Sequence, residues 1–520
     1  MRVAVVGAGP IGLLTALGLR HYGIDTDLFE EDDALSQDTK AGTVLTRTLE
    51  VLRRYDALDP VLRASIRIDE VGDLDRETNR KNFSVQSSAL GDDTRFPFLI
   101  NIPQHHLEPI LHGRLEELAP GTTRLGHKLT GFTQDDDAVE ISFDTPDGER
   151  VESFDYLLAC DGGRSTIRRL LGVEVAGITV PDRYMLVDMR MDLDVANHRD
   201  YPYLAYFGDE DEWMILIRQP HCWRFLFPLG PDQPEPSQDG LVERAQRFIG
   251  DVEDIEVLGS NIYPVHQRVA TKWRDGRVLL MGDAAHLLTP MWALGLNTGA
   301  LDASNVPWRL AWIERGWADE SLLDGYEGEQ AMASKGSSEM AEAARAHMHK
   351  RENAALGMAT GDWGIAMTRS LLGVRLDVDR TGVWSMNKHG TDPAPVASGD
   401  RIPDMPLYGE GGEVRLHDLC ADAFVALWFG DTRRRPNGGT ETAPGLDSYL
   451  VSRWDAPPDL KLRERLLLDP GERVRRRLGV EDNTLVLLRP DEHIAAITRF
   501  DPKGDGGDAI RAYNRIMEKG

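Results

Sequence analysis

Val3 to Val6 form an unbroken apolar run, the pattern of a strand buried on both faces. Leu13, Leu14, Leu17 and Leu19 then recur at helical spacing, which predicts a helix from about Ile11 to Tyr22, ended by Gly23. A second short strand follows, Thr26 to Phe29. Similar apolar runs return at Tyr156 to Ala159 and Val278 to Met281, each leading into a glycine-bearing turn and a helix. From about Asp182 to Leu229 the pattern changes to alternation ("YMLVDMRMDLDV", "EWMILIRQPHCWRFLFPL"), which predicts an antiparallel sheet with one apolar face. The sequence turns irregular from Gly361 to Asp400, with a linker expected over about Asn387 to Gly399.

The turns carry the chemistry. Gly7, Gly9 and Gly12 form GxGxxG in strand–turn–helix context, with Glu30 lying 18 residues after Gly12. Gly7 permits the turn, Gly9 admits a pyrophosphate to the backbone, and Gly12 lets helix and strand pack closely. The helix N-terminus then offers unpaired amides and a positive dipole end to the phosphates. An acid at the second strand end suits an unphosphorylated adenosine ribose, as in FAD or NAD. Two later strand ends bear Asp161-Gly162 and Gly282-Asp283. A flavin, with its ribityl hydroxyls and pyrophosphate, has use for these; a nicotinamide dehydrogenase does not.

GAGPIG, DGGRSTIR and GDAAH, in this order, resemble the single-component FAD-dependent aromatic hydroxylases, most closely the phenol, chlorophenol and 3-hydroxyphenylpropionate hydroxylases. Three further stretches resemble that family: "DTKAGTVLTRTLEVLRRYDALD", "FPFLINIPQHHLEPIL" and "NTGALDASNVPWRLAW". The resemblance implies an α/β fold with three parts. These are a Rossmann-like FAD-binding domain of the p-hydroxybenzoate hydroxylase type, an antiparallel-sheet substrate domain, and a C-terminal thioredoxin-like domain. The expected boundaries are 1–180 and 271–390 for the two parts of the FAD-binding domain, 181–270 for the substrate sheet and 398–520 for the tail.

It implies a reaction as well. NADPH or NADH, docking transiently, reduces the flavin, and O2 gives a C4a-hydroperoxide that hydroxylates a phenolic ring. The positions carried over as FAD contacts are Gly7, Gly9, Gly12, Glu30, Lys40, Arg47, Gln104, Asp161, Gly162, Gly282, Asp283, Pro290, Gly295, Leu296 and Asn297. Trp213, His221, Trp223, Met291 and Trp292 are the expected substrate residues, within an aromatic group that includes Tyr201, Tyr203 and Tyr206. Pro290, His221 and Trp292 are the catalytic candidates. Aromatic residues in strands are also ordinary sheet packing, and a lone histidine is more often structural.

Two departures from the family pattern stand out. The family loop before NTG carries small residues, as in PPFGGQGLN, whereas this chain has Trp292 and Ala293. Phenylpropionate hydroxylases also have a tryptophan there, as in PPWQGQG, one place earlier. Trp292 is read as a pocket wall; it would otherwise face the core or disturb the oxygen site. Chlorophenol hydroxylases have KAH where this chain has Lys40-Ala41-Gly42, and glycine cannot take a phenol proton. His221 is the substitute base that the middle region offers.

Composition narrows the partners. Eighty-six Asp and Glu against 59 Lys and Arg leave a net charge of −27 over 520 residues, which repels nucleic acid and anionic membranes. A small-molecule partner is expected, and a homodimer is the family default. Cys160, Cys222 and Cys420 are scattered, with neither CxxC nor metal-ligand spacing, so no metal and a reducing, cytoplasmic setting are expected. The chain enters a strand at once, so no signal peptide is expected, and no run approaches a membrane span. The tail lacks CxxC, so its role is structural or at a subunit interface, and "KLRERLLLDPGERVRRRLG" reads as one solvated helix. Two other functions stay open: a Baeyer–Villiger or epoxidising flavin oxygenase on an aromatic polyketide, and an FAD-binding protein that has lost oxygenation.

Overall fold

The computed structural model describes residues 1–37, 42–209, 212–330, 348, 396–430, 442–453, 464–501, 503–504 and 506–518. Lys40 and most of the expected linker, 387–395, lie outside the described residues, as does the side chain of Trp292.

Strands far apart in sequence build the first sheet. Its order is Arg274–Asp275, Val278–Leu280, Tyr156–Ala159, Arg2–Val6, Asp25–Phe29 and Thr123–Arg124. The central strands run parallel, with Val3 opposite Tyr156 and Leu157 opposite Val278. Their residues are buried on both faces, as parallel sheets require. Because the strands are parallel, their carboxyl ends share one edge, and Gly7, Asp161 and Gly282 meet there. The Pro10–His21 helix crosses this sheet and packs against the long Leu294–Glu314 helix.

The second sheet has eight strands in the order His286–Leu287, Glu256–Ala270, Val175–Arg190, Trp223–Leu229, Met214–Arg218, Leu204–Gly208, Glu70–Asp75 and Lys81–Gln86. It is antiparallel except where Leu204–Gly208 runs parallel to Glu70–Asp75. Alternation along its strands divides two apolar clusters. Tyr184, Leu186, Trp213, Ile215 and Leu226 face Met291 and Leu294 of the glycine-rich loop. Met185, Val187, Met214, Trp223, Phe225 and Phe227 face the opposite way, with Leu241 and Phe248 of the Gln238–Ile249 helix.

The tail is a seven-stranded mixed sheet, centred on Phe424–Phe429 between Leu446–Ser452 and Thr484–Leu488. The charge run within it is not one helix. Leu466–Leu468 is a strand and Arg473–Leu478 a short helix. Arg475 pairs with Asp482 there, and Arg477 with Asp93 of the N-terminal region. Leucines between charges follow either period, and pairing with the neighbouring strands decided the outcome.

Buried ion pairs fasten the tail to the first domain. Glu50 meets Arg47 and Arg401, and Glu492 meets Arg47 and Arg54. Glu329 meets Arg309 and Arg489. Burial acts to raise the Glu329 pKa, but Arg309 and Arg489 outweigh it and pull the carboxyl down to about 2. Glu50, His417 and Glu492 are close enough together to ligate a cation, yet their charges are already matched by these arginines. Among the described residues no helix is long and apolar enough to cross a membrane.

Candidate functional site

The three strand ends make one cradle, and each glycine there has its own constraint. Gly7 has φ +105°, and a Cβ on it would lie 2.3 Å from the Cys160 carbonyl oxygen. A Cβ on Gly12 would lie 1.8 Å from the Gly7 carbonyl oxygen. Both positions are closed to any side chain, so helix and sheet meet in backbone contact. Gly9 is the opposite case: a Cβ there would meet nothing within 4 Å. The backbone is thus bare and open where a pyrophosphate would approach, at the start of the Pro10–His21 helix. Glu30 accepts the Ala8 amide at 2.7 Å, which orients its carboxylate at the loop.

The second strand end is held by its own side chain. Asp161 Oδ2 accepts the Ile167 amide at 3.1 Å, while Oδ1 is buried with no partner. Burial pushes this carboxyl above the usual range, against the hydrogen bonds of Ser165 and nearby amides. Gly162 takes φ +74°. At the third end, Gly282 (φ +57°) would press a Cβ against Ile11, and Asp283 is exposed beside it. Behind them Asp302 accepts from the Gly282 amide at 2.7 Å and bonds His286 Nε2 at 2.9 Å.

The loop Pro290–Ala293 leads into the Leu294–Glu314 helix, whose first amides lack intrahelical acceptors, and the space at Gly295 is open. Ala293 sits in the left-handed region at φ 56°, where the family uses glycine. Asn297 is spent as a clip. Its carboxamide accepts from the Leu45 amide (2.8 Å) and Thr48 (2.7 Å), and donates to the carbonyls of Thr43 (3.1 Å) and Ala293 (2.7 Å). Only its backbone is left for a cofactor. An extended dinucleotide with a polar ring edge fits this donor set: bare backbone at Gly9, polar groups at each strand end, and a helix terminus.

Several expected site residues stand elsewhere. Arg47 is a correction: its guanidinium is bound by Glu50, Glu492 and the Asp491 carbonyl, so it anchors the tail. Trp223 is a second correction. It lies on the sheet face away from Met291, and Tyr201 shares that face. Trp213, Tyr206 and Met291 share the loop-facing cluster. His221 is a third correction: it is exposed on the hairpin turn, with its ring 5.8 Å from His106. Tyr203 is also exposed at the surface. The Gln104 amide donates to Glu108 at 2.7 Å. Pro290 opens the loop and Leu296 lies in the first turn of the helix.

The sequence reading missed the polar end of the loop-facing surface. In the same phase as Trp213, Ile215 and Ile217 comes Gln219, and in the phase of Leu226 comes Arg224. Arg224 is fully buried and pairs twice with Asp188, at 2.7 and 2.9 Å. Gln219 is wholly buried, and neither polar atom of its carboxamide has a partner. His105 Nδ1 is buried without a partner as well. Burial, then the charges of His106 and Arg224, hold His105 below the ordinary imidazole value. The available signal was charged and amide residues at apolar positions of an alternating strand.

Residues 1–340 match the family described as "FAD binding domain". The chain belongs to this family, and its cofactor is FAD. It is 29% identical over 549 residues to the 12-dehydrotetracycline 5-monooxygenase/anhydrotetracycline 6-monooxygenase of Streptomyces rimosus, with 98% of each chain covered. It is 30% identical over 333 residues to the para-nitrophenol 4-monooxygenase of Pseudomonas sp. (strain WBC-3), covering 62% of this chain and 81% of that one. A solved ternary complex of aklavinone-11 hydroxylase with FAD and aklavinone has the same fold, with a TM-score of 0.82 at 24% identity over 99% of both chains.

Proposed function

We propose that this member of the FAD-binding family is an NAD(P)H- and O2-dependent monooxygenase that hydroxylates a polycyclic phenolic ring. The observation that carries the reading is the joining of two surfaces by one loop. On one side lies the dinucleotide cradle; on the other, a buried face of Tyr184, Trp213, Leu226 and Met291 ends in polar groups. Such a surface suits a flat apolar ring with oxygen at one end. The similarity to the tetracycline enzyme runs through the tail, whereas that to the nitrophenol enzyme spans 62% of this chain. That difference favours the larger ring system.

When bound, FAD supplies the electron-transfer and oxygen chemistry. The chain's own residues bind, orient and exclude water. Gly7, Gly9, Gly12, Glu30, Asp161, Gly162, Gly282 and Asp283 hold the cofactor through backbone and strand-end groups. Pro290, Gly295 and Leu296 present the loop and helix terminus, and Asn297 fixes the loop against the Thr43–Thr48 segment. Trp213 and Met291 form the apolar wall. Trp292 is retained from the sequence as a candidate for setting substrate range, and Trp292→Gly should then alter that range. The boundaries given from the sequence divide one chain that works in the cytoplasm, as a dimer, with reduced nicotinamide as transient partner, although the Glu70–Asp75 and Lys81–Gln86 strands join the substrate sheet from within 1–180.

The test is to mix FAD-loaded protein with NADPH or NADH and a panel of simple and polycyclic phenols. Product masses and peroxide release are measured together. Polycyclic phenols should stimulate nicotinamide oxidation and gain one oxygen atom. Flavin reduction with no oxygenated product from any phenol would sink the reading.

A further inference from the structure

We propose that Gln219 is a specificity-determining residue whose carboxamide binds a phenolic hydroxyl of the substrate ring, donating to its oxygen and accepting its proton. The inference deepens the aromatic-hydroxylase reading and rests on it.

The argument starts from an unmet requirement. A buried amide that makes no hydrogen bond costs free energy, and native proteins rarely leave both of its polar atoms unpaired. Gln219 does so at 0% exposure. Its position explains where the amide points. The hairpin is closed by the Gln219 amide donating to the Cys222 carbonyl at 2.9 Å. Alternation from Trp213 then places the side chain on the loop-facing surface, beside Arg224. A Cβ built on Gly42 would lie 2.5 Å from Gln219 Nε2 and 3.1 Å from Arg224 Nη1. The carboxamide therefore fills the volume that a side chain at position 42 would take. Gly42 is glycine without a positive φ, so this approach is what the position requires.

Charge then selects the ligand chemistry. Arg224 is matched by Asp188 in a two-bond pair, so the pair is neutral overall. A carboxylate ligand would need uncompensated positive charge. A carboxamide instead offers one donor and one acceptor side by side. The complement is a group that accepts and donates at once, as a phenolic hydroxyl does when no ring carbonyl lies beside it to take its proton. The apolar face of Trp213, Tyr184 and Leu226 covers the remainder of such a ring.

The experiment is isothermal titration of the FAD-loaded enzyme with 2-hydroxyanthraquinone, whose hydroxyl is remote from both ring carbonyls, and with 2-methoxyanthraquinone, which lacks the donor. The wild type should prefer the hydroxy compound by at least about tenfold, because a site built to bond a hydroxyl rejects the analogue without it. Gln219→Leu should abolish that preference and keep affinity for the methoxy compound within about threefold, with FAD content unchanged. Gly42→Ala, which pushes the amide aside, should reduce the preference without changing the sheet, and it serves if Gln219→Leu does not fold. Equal wild-type affinity for the two compounds, or a preference that survives both substitutions, overturns the inference alone. Failure of both compounds to bind wild-type holoenzyme overturns the aromatic reading and the inference with it.

Discussion

His286 and Asp302 are joined by a hydrogen bond of 2.9 Å with neither side chain exposed to solvent. The same Asp302 oxygen accepts the Gly282 amide at 2.7 Å, so one carboxylate on the long helix fixes the third strand end of the cradle. Trp273 stacks on the His286 ring at 5.2 Å and closes the other side. Asp302→Ala should destabilise the protein by about 3–5 kcal/mol, since it strands a buried partner. Asp302→Asn should cost less and lower FAD affinity by about tenfold to a hundredfold, as loss of an orienting contact behind a ligand shell typically does. Denaturant unfolding and equilibrium dialysis of FAD check the two parts; normal FAD affinity in Asp302→Asn would show that the cradle holds without this carboxylate.

Ala293 carries a φ of 56° at the base of the loop. A left-handed conformation costs an alanine about 1 kcal/mol relative to glycine. Ala293→Gly should therefore stabilise the protein slightly, by up to about 1 kcal/mol. A thermal unfolding comparison at one FAD concentration is sufficient. A lower Tm would mean that the methyl group packs usefully in the loop.

The two tryptophans of the sheet should separate cleanly. Trp213 lies with Met291, its ring 5.0 Å from Tyr184, and Trp223 lies with Phe225 and Phe227 on the far face. Trp213→Phe should raise KM for the ring substrate severalfold with a small change in Tm. Trp223→Phe should lower stability by about 1–3 kcal/mol through lost packing and leave KM alone. Steady-state kinetics and unfolding of both variants decide it, and the reverse pattern would mean that the faces are assigned the wrong way round.

Acid should loosen the tail first. The Glu329 carboxyl is held at about 2 in the folded chain, below its ordinary 4.5. A depressed folded value means that its stabilisation is complete above about 4.5 and is lost as pH falls toward 2. Glu329→Gln should thus be clearly less stable than wild type at pH 7, by roughly 3 kcal/mol, with the gap narrowing below pH 4.5. Unfolding midpoints at a series of pH values check this; a gap independent of pH would exclude the ion pair with Arg309 and Arg489 as its source.

Local backbone chemistry was legible in the sequence. Gly7 and Gly282 take positive φ at turns and Gly12 closes on Gly7 five residues away, so the spacing of these glycines with the bare Gly9 announces the cradle directly. The parallel strands were legible as well, because burial on both faces leaves continuous apolar runs. Sheet phase was not. Alternation tells that Trp223 and Arg224 face opposite ways but not which of them faces the loop, and slipping one residue exchanges the faces. Only the pairing of Arg224 with Asp188 and Ile217 settled that. Arg47 shows the other limit. Its motif is local, but its partner Glu492 lies 445 residues away. What the sequence alone determined was therefore the cofactor's backbone cradle. The tertiary structure decided which side chains face the ring and which hold the tail, because those choices depend on charges and faces brought together only by folding.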